Sequence, residues 1–524
     1  MLPMLMAVYC CIIKSGGFID EYFSLGFSNS SKGAYLLDCY DGNFLHRVIT
    51  ADELNNYIMV DGDEAFSYSF IIDNCASDLT PPLYYFILHT ICSFFPGIAS
   101  KWFGLSINLA VFLVTLIFLY NISVKLYKSS WVATLLTLCY GFSMGGLNCV
   151  TYVRMYAMVT MWSVLLLYFV LQVVFSDKKR YIAAVGIVIF LGFHTQYNFG
   201  IFAFFVCAAT CAGLLYLREK KKFFIFSASA VSAVLLFLLT WPTLFVQINR
   251  LFTWESENDK GRVGVFMFFY YWISMIFKQV KVEVFVLAFL IGSIILLKFV
   301  AHADAGKLKE RLNMKLLPVY YTVLITGYIL GTLGIAYYSP YFSARYCFNT
   351  MPVFTLLMGL PFIVFKELVE RFFEIKNIRF SILTIGTMFV MAIIGGAVNL
   401  DEMKYLYLDN PEKLKVTESV AQYPCFFVNG NFDKSVINSI DHLVKFKDFY
   451  IFDELNLSEY EEYMNGHPDN EAVVVYVDVD PFNSSGLDGD EVISSFADTG
   501  MYDTILVLYE LDSVRAFLLY NNQN

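Results

Sequence analysis

MYAMVTMWSVLLLYFVLQVVF, residues 155–175, runs without one charged side chain. An α-helix needs about 20 mostly apolar residues to cross the hydrocarbon core of a bilayer, and this stretch meets that length. Working outward from it, comparable stretches lie near 103–120, 131–149, 181–197, 198–217, 223–245, 283–301, 316–337, 347–365 and 380–399. An apolar run at 1–13 is shorter and lacks a basic flank ahead of it, so it is read as a short span rather than a signal-like segment. The sequence therefore predicts a polytopic α-helical membrane protein of about eleven spans.

Basic clusters recur at every second connection: Lys125 and Lys128, Lys178 to Arg180, Arg218 to Lys222, Lys307 to Lys315, and Lys366 to Arg379. Short loops enriched in Lys and Arg face the cytoplasm, which puts the N-terminus inside and leaves the long segment 15–100 and everything after 400 outside. Pro81 to Phe95 is apolar but too short to span, and it opens with Pro-Pro. Counting it as a crossing would carry the acidic loop to the basic side, so it is read as a re-entrant or interfacial helix.

Composition agrees with lipid as the main solvent, because 58% of the 524 residues are hydrophobic and only 16% are charged. Aromatic residues, 18% of the chain, suit belts at the membrane interface. A net charge of -10 with no concentrated basic face excludes nucleic acid as a partner. Most of the 11 Cys lie in apolar stretches and read as small hydrophobes. Cys39 and Cys75 fall in the long polar loop, where a disulfide is permitted and spacing leaves the connectivity open.

A polar loop as long as 15–100 usually carries function. Asp20 and Glu21 follow the first span directly, after Gly16-Gly17, and Asp78 precedes Pro81-Pro82, so these carboxylates sit at the membrane surface. Residues 401–524 read as a separate outer α/β domain. Short apolar runs at 425–428, 449–452, 472–477, 504–509 and 515–520 alternate with amphipathic stretches at 435–446, 456–464 and 489–497. The domain has no phosphate-cradling Gly-rich loop or metal-ligand spacing, and reads as an accessory module for acceptor binding or for stability.

The acidic pair Asp20-Glu21, the stretch Asp78-Leu-Thr-Pro-Pro-Leu-Tyr-Tyr at 78–85, Arg154-Met-Tyr-Ala at 154–157 and Tyr341-Phe-Ser-Ala-Arg345-Tyr346 together resemble a known pattern. Over residues 1–400 the chain is similar to the GT-C superfamily of polyprenyl-phosphate-sugar glycosyltransferases, which includes protein O-mannosyltransferases and the aminoarabinose transferase of lipid A. Thr80 stands where that family often has His, so no imidazole role carries over.

What the resemblance implies can be set against what these residue types can do. Moving a sugar from a lipid phosphate to a hydroxyl needs a carboxylate to take the acceptor's proton, and Asp20 is the choice; the plain alternative is an acidic helix end facing water. Glu21 would orient the acceptor or hold a cation, and Asp78 would bind sugar hydroxyls or support the base. The departing polyprenyl phosphate calls for guanidinium groups, here Arg154 and Arg345, whose plain alternative is a snorkelling interfacial Arg. Tyr84, Tyr85, Tyr156 and Tyr341 could contact a sugar or belong to the interfacial belt, and His194 and Gln196 end a span on the outer side near the expected head group. No cofactor is required, and a divalent metal is compatible but not indicated. The resulting expectation is an inverting glycosyltransferase of the outer membrane face, most simply in a bacterial plasma membrane, with a polyprenyl-phosphate-linked donor and an unknown acceptor. A transporter or flippase of lipid-linked glycans is the rival, although it should carry ionisable residues near the bilayer midplane and matched broken helices. A non-catalytic sensor displaying the outer domain would make Asp20 dispensable.

Overall fold

The computed structural model describes residues 1–33, 45–257, 265–301, 316–338, 343–372, 400, 403–428, 434–452, 459, 462–464, 471–479, 493, 502 and 504–520. Two compact units emerge. The first comprises Met1–Ile12, Leu79–Tyr84 and Gly104–Lys404; the second comprises Ile13–Asp78, Tyr85–Phe103 and Tyr405–Asn524.

The first unit is helical, and its elements follow from uninterrupted apolar runs. Six described helices are long and apolar enough to cross a membrane: Lys101–Tyr127, Tyr156–Phe175, Asn198–Tyr216, Lys220–Thr240, Leu317–Tyr338 and Ala344–Leu368. Large apolar side chains on them point away from the protein, with Phe224, Leu235 and Leu239 of one helix 67%, 55% and 78% exposed. Such a surface is stable only against lipid.

The seventh expected span, 131–149, is broken. Helices Ser130–Phe142 and Met144–Thr151 meet at 56°. Ser143 makes the break, because its extended backbone ends one helix while its Oγ accepts the Gly146 N–H at 3.1 Å and caps the next.

Of the other four expected spans, Leu2–Ile13 and Arg180–Thr195 are helices of only 12 and 16 residues. The helix Lys281–Ala301 is 21 residues long, and its described apolar stretch is Val286–Ile295. The stretch 380–399 lies outside the described residues. The six helices and the bent pair thus account for seven of the eleven expected spans.

The second unit is built on a six-stranded mixed sheet in the order β1-β3-β2-β4-β6-β5. Its strands are β1 (Arg47–Thr50), β2 (Cys425–Val428), β3 (Asp448–Phe452), β4 (Ala472–Asp478), β5 (Thr504–Glu510) and β6 (Val514–Tyr520). Central β2 runs parallel to β3 and β4, and both β2 and β4 are buried along their whole length. Continuous apolar runs such as Ala472 to Val477 are what strands covered on both faces require.

Residues 401–524, expected as a separate module, do not complete this sheet alone. Edge strand β1 comes from the first outer loop and pairs antiparallel with β3, Val48 opposite Tyr450. The same loop covers one face: Tyr22, Leu54 and Tyr57 pack with Val436, Ile440 and Leu443 against Phe427, Ile451 and Tyr476. Phe426, Tyr450, Tyr463 and Val475 form the core on the other face.

Candidate functional site

In the second unit the acidic pair opens the helix Ile19–Asn29, where carboxylates complement the positive end of the helix dipole. The two side chains have different surroundings. Glu21 is buried, and its Oε2 accepts from Lys14 Nζ at 2.9 Å and from the Phe18 N–H at 2.7 Å. Lys14 Nζ also donates to the Tyr405 carbonyl at 2.6 Å, so the ion pair stitches the start of the outer loop to the segment entering the C-terminal strands. Asp20 is half-buried, and its carbonyl receives the Ser24 hydroxyl at 2.9 Å.

Asp78 follows the helix Ser69–Ser77 and is half-buried. Asn74, one turn earlier, donates through Nδ2 to the carbonyls of Phe27 and Ser30 at 3.1 and 2.9 Å. That bond ties the segment carrying Asp78 to the far end of the helix whose first turn carries Asp20, about 14 Å along its axis. Pro81–Phe95 contains the helix Leu83–Cys92, in which Tyr84 and Tyr85 are both 0% exposed. Tyr341 lies outside the described residues.

In the first unit the Arg345 side chain lies in an aromatic group, and the Arg154 backbone adjoins it. Arg345 Nη1 donates to the Tyr152 hydroxyl at 3.0 Å, and its guanidinium lies 5.3 Å from the centre of the Tyr346 ring. Tyr152 stacks on Tyr156 with centroids 5.6 Å apart, and Tyr156 meets Tyr346 edge-on at 6.1 Å. Arg154, only 9% exposed, sits in the short break between the helices ending at Thr151 and starting at Tyr156. Its backbone N–H binds the Tyr152 carbonyl at 2.8 Å.

The break is held from the side. Asn108 Nδ2 donates to the carbonyls of Val150 and Tyr152 at 3.0 and 2.7 Å, and Gly104, one turn earlier on the same helix, lets Val153 approach so closely that a Cβ there would lie 2.0 Å from Val153 Cγ1. A planar guanidinium among aromatic rings, as Arg345 has, is suited to bidentate binding of phosphate oxygens.

His194 is placed elsewhere in the helix packing, with Nε2 2.9 Å from Thr240 Oγ1 and its ring against Phe190 and Phe237. Gln196 is buried just beyond the same helix. Among the described residues no group of three His, Cys, Asp or Glu could hold a metal ion.

Among solved structures, the chain is similar to ArnT from Cupriavidus metallidurans bound to undecaprenyl phosphate, with a TM-score of 0.51 at 9% identity over 99% of this chain and 96% of that one. The chain shares the fold of that ArnT structure. ArnT from the same organism in the apo state matches 84% of this chain and 87% of that one, at 10% identity and a TM-score of 0.46. No family model and no curated protein matches the chain. The likeness to that structure extends past residue 400, where the sequence motifs stop, and so takes in the sheet of the second unit.

Three positions with a structural part in these sites had escaped the sequence reading. Lys14 ends the first apolar helix and could have been flagged as a cation seven residues from Glu21. Asn108, an amide inside an otherwise apolar helix, was a second signal, since a buried amide needs partners. Tyr152 gave none in a chain holding 36 Tyr.

Proposed function

We propose that the chain is a membrane glycosyltransferase that moves a sugar from a polyprenyl-phosphate donor to an acceptor hydroxyl on the extracytoplasmic face. The observation that carries this reading is a GT-C fold shared along nearly the whole chain with a protein whose structure holds undecaprenyl phosphate. The pairing of Arg345 with Tyr152, next to Arg154 in sequence and in space, supports it.

Asp20 acts as general base. Its carboxylate takes the acceptor O–H proton as that oxygen attacks the anomeric carbon, and the bond from that carbon to the phosphate oxygen breaks with its electrons leaving on phosphate. Arg154 and Arg345 bind the departing phosphate oxygens, which need no general acid because phosphate is already a good leaving group. A single in-line displacement inverts the anomeric centre. Asp78 binds sugar hydroxyls, Glu21 holds the loop that carries Asp20, and the reaction balances without a cofactor. The basic loops put the opposite face in the cytoplasm.

The test incubates purified protein with a panel of polyprenyl-phosphate sugars and measures release of polyprenyl phosphate. Asp20→Asn is expected to lower turnover by about 10²–10⁴-fold, and Arg345→Gln by about 10²–10³-fold. Equal turnover by wild type and Asp20→Asn, or none with any donor, removes the mechanism.

A further inference from the structure

A cavity of about 190 Å³ opens in the second unit between the Gly16-Gly17 loop, Tyr22, the segment Tyr407 to Lys413, the stretch Asn438 to His442 and the turn Glu510 to Asp512 between β5 and β6. Pockets for drug-sized ligands run to about 300–1,000 Å³, so this one suits a single small polar unit.

Its walls are fixed by hydrogen bonds. The Tyr22 hydroxyl donates to Asp441 Oδ2 at 2.5 Å, and the Tyr407 hydroxyl to Asp512 Oδ2 at 2.8 Å. Asn410 is held at both ends of its amide, with Nδ2 donating to the Ser15 carbonyl at 2.8 Å and Oδ1 facing His442 Nε2 at 3.0 Å. His442 then carries its proton on Nε2, which leaves Nδ1 as an acceptor facing the hydroxyls of Thr417 at 2.7 Å and Tyr509 at 3.0 Å. Gly17 leaves room that any other residue would close, since a Cβ there would lie 2.7 Å from Tyr22 Cζ.

The chemistry of the lining selects the ligand. Lys413 binds Asp409 at 2.6 Å and the Glu510 carbonyl at 2.8 Å, so the lining's one ammonium is already engaged. Glu510 has Arg515 at 3.9 Å. Asp441 and Asp512 each meet a tyrosine hydroxyl through one oxygen, and a carboxylate offers about four lone-pair sites in all. The capacity that remains is for O–H and N–H donors, while phosphate or a second carboxylate would meet like charge. Carboxylates beside a tyrosine ring, in a space of this size, match a sugar ring.

We infer that this cavity is a subsite for one neutral or amine-bearing sugar unit of the acceptor, rejecting acidic sugars and phosphate. The inference rests on the transferase reading and deepens it. Tyr22, which lines the cavity, lies two residues from Asp20 on the same helix, about 3 Å along its axis.

Ligand-observed NMR titration of the full chain in detergent tests it, with glucosamine, glucose, glucuronic acid and inorganic phosphate as probes. Wild type is expected to bind glucosamine and glucose saturably and to leave glucuronic acid and phosphate free. Asp512→Asn, and independently Asp441→Asn, weaken sugar binding about 10- to 100-fold, as expected for removing a hydrogen bond to a charged group. Unfolding midpoints check that both variants remain folded. Asp20→Asn keeps wild-type sugar binding while losing turnover, so the subsite and the catalytic reading can fail separately. Absence of saturable sugar binding, equal binding by wild type and both cavity variants, or tighter binding of glucuronic acid or phosphate overturns the subsite.

Discussion

Lys14 and Glu21 are only 2% and 5% exposed at their side chains, which makes their ion pair asymmetric in its consequences. The pair as a whole adds little stability, but removing one partner strands a buried charge, at a cost of about 3–5 kcal/mol. Glu21→Gln is therefore expected to lower unfolding stability by that order in detergent. Asp20→Asn, half-buried next door, should stay within about 0.5 kcal/mol of wild type. Equal losses from the two substitutions would show that the acidic pair is not divided in this way.

His442 supplies a pH signature in the same unit. Burial pushes its imidazole down from 6.5 to about 4, so between those values the unfolded chain binds a proton that the native chain refuses. Stability is then fully present above pH 6.5 and falls as the pH drops toward 4, by up to about 3 kcal/mol from this group. Denaturant titrations at pH 7 and pH 4.5 should show that loss in wild type and a smaller one in His442→Gln. Neither residue's situation could be read from the chain: Asp20-Glu21 was visible as a pair, yet its division depends on Lys14 folding back across Gly16-Gly17, and His442 is an ordinary histidine until Thr417 and Asn410 close on it.

At the scale of elements, β1 makes the sharpest claim, since it joins Val48 of the first outer loop to Tyr450 of the C-terminal region. Residues opposite each other in an antiparallel pair have Cα atoms about 4.5–5.5 Å apart, inside the span of a disulfide. Val48→Cys with Tyr450→Cys should oxidise to a species of faster migration on non-reducing electrophoresis, reversed by reductant and absent from either single variant. The five C-terminal strands were legible because each is a compact apolar run between polar stretches, and they fall within two residues of the expected bounds. Arg47–Thr50 was not, because four residues give no period to detect and the partner lies about 400 positions away. Ser143 hid for a different reason: an apolar run without proline reads as one span, and the hydroxyl's capping bond to Gly146 shows only in three dimensions.

For the whole molecule, the shared sheet imposes a parity. Residues 47–50 and 448–452 occupy the same side of the membrane, so the chain between them crosses an even number of times. The six long helices and the bent pair make seven, which is odd, and if each crosses then at least one of the shorter or undescribed segments crosses too. Single cysteines at the exposed positions Asp63 and Glu471 should react with an impermeant maleimide from one side, and cysteines at Lys179 and Lys221 only from the other. Labelling of Asp63→Cys and Glu471→Cys from opposite sides would break the parity and the sheet with it.

The pairing of β1 with β3 also sets a timetable for biogenesis. The ribosome makes Val48 about 400 residues before Tyr450, roughly 20–80 s at ordinary elongation rates. Through that interval the nascent first loop holds an edge strand with nothing to receive it, and a chain that stops short of Asp448 leaves it so permanently. Premature termination should therefore yield a membrane-inserted product prone to clump through its outer loop, with a demand for holdase chaperones that the finished protein does not share.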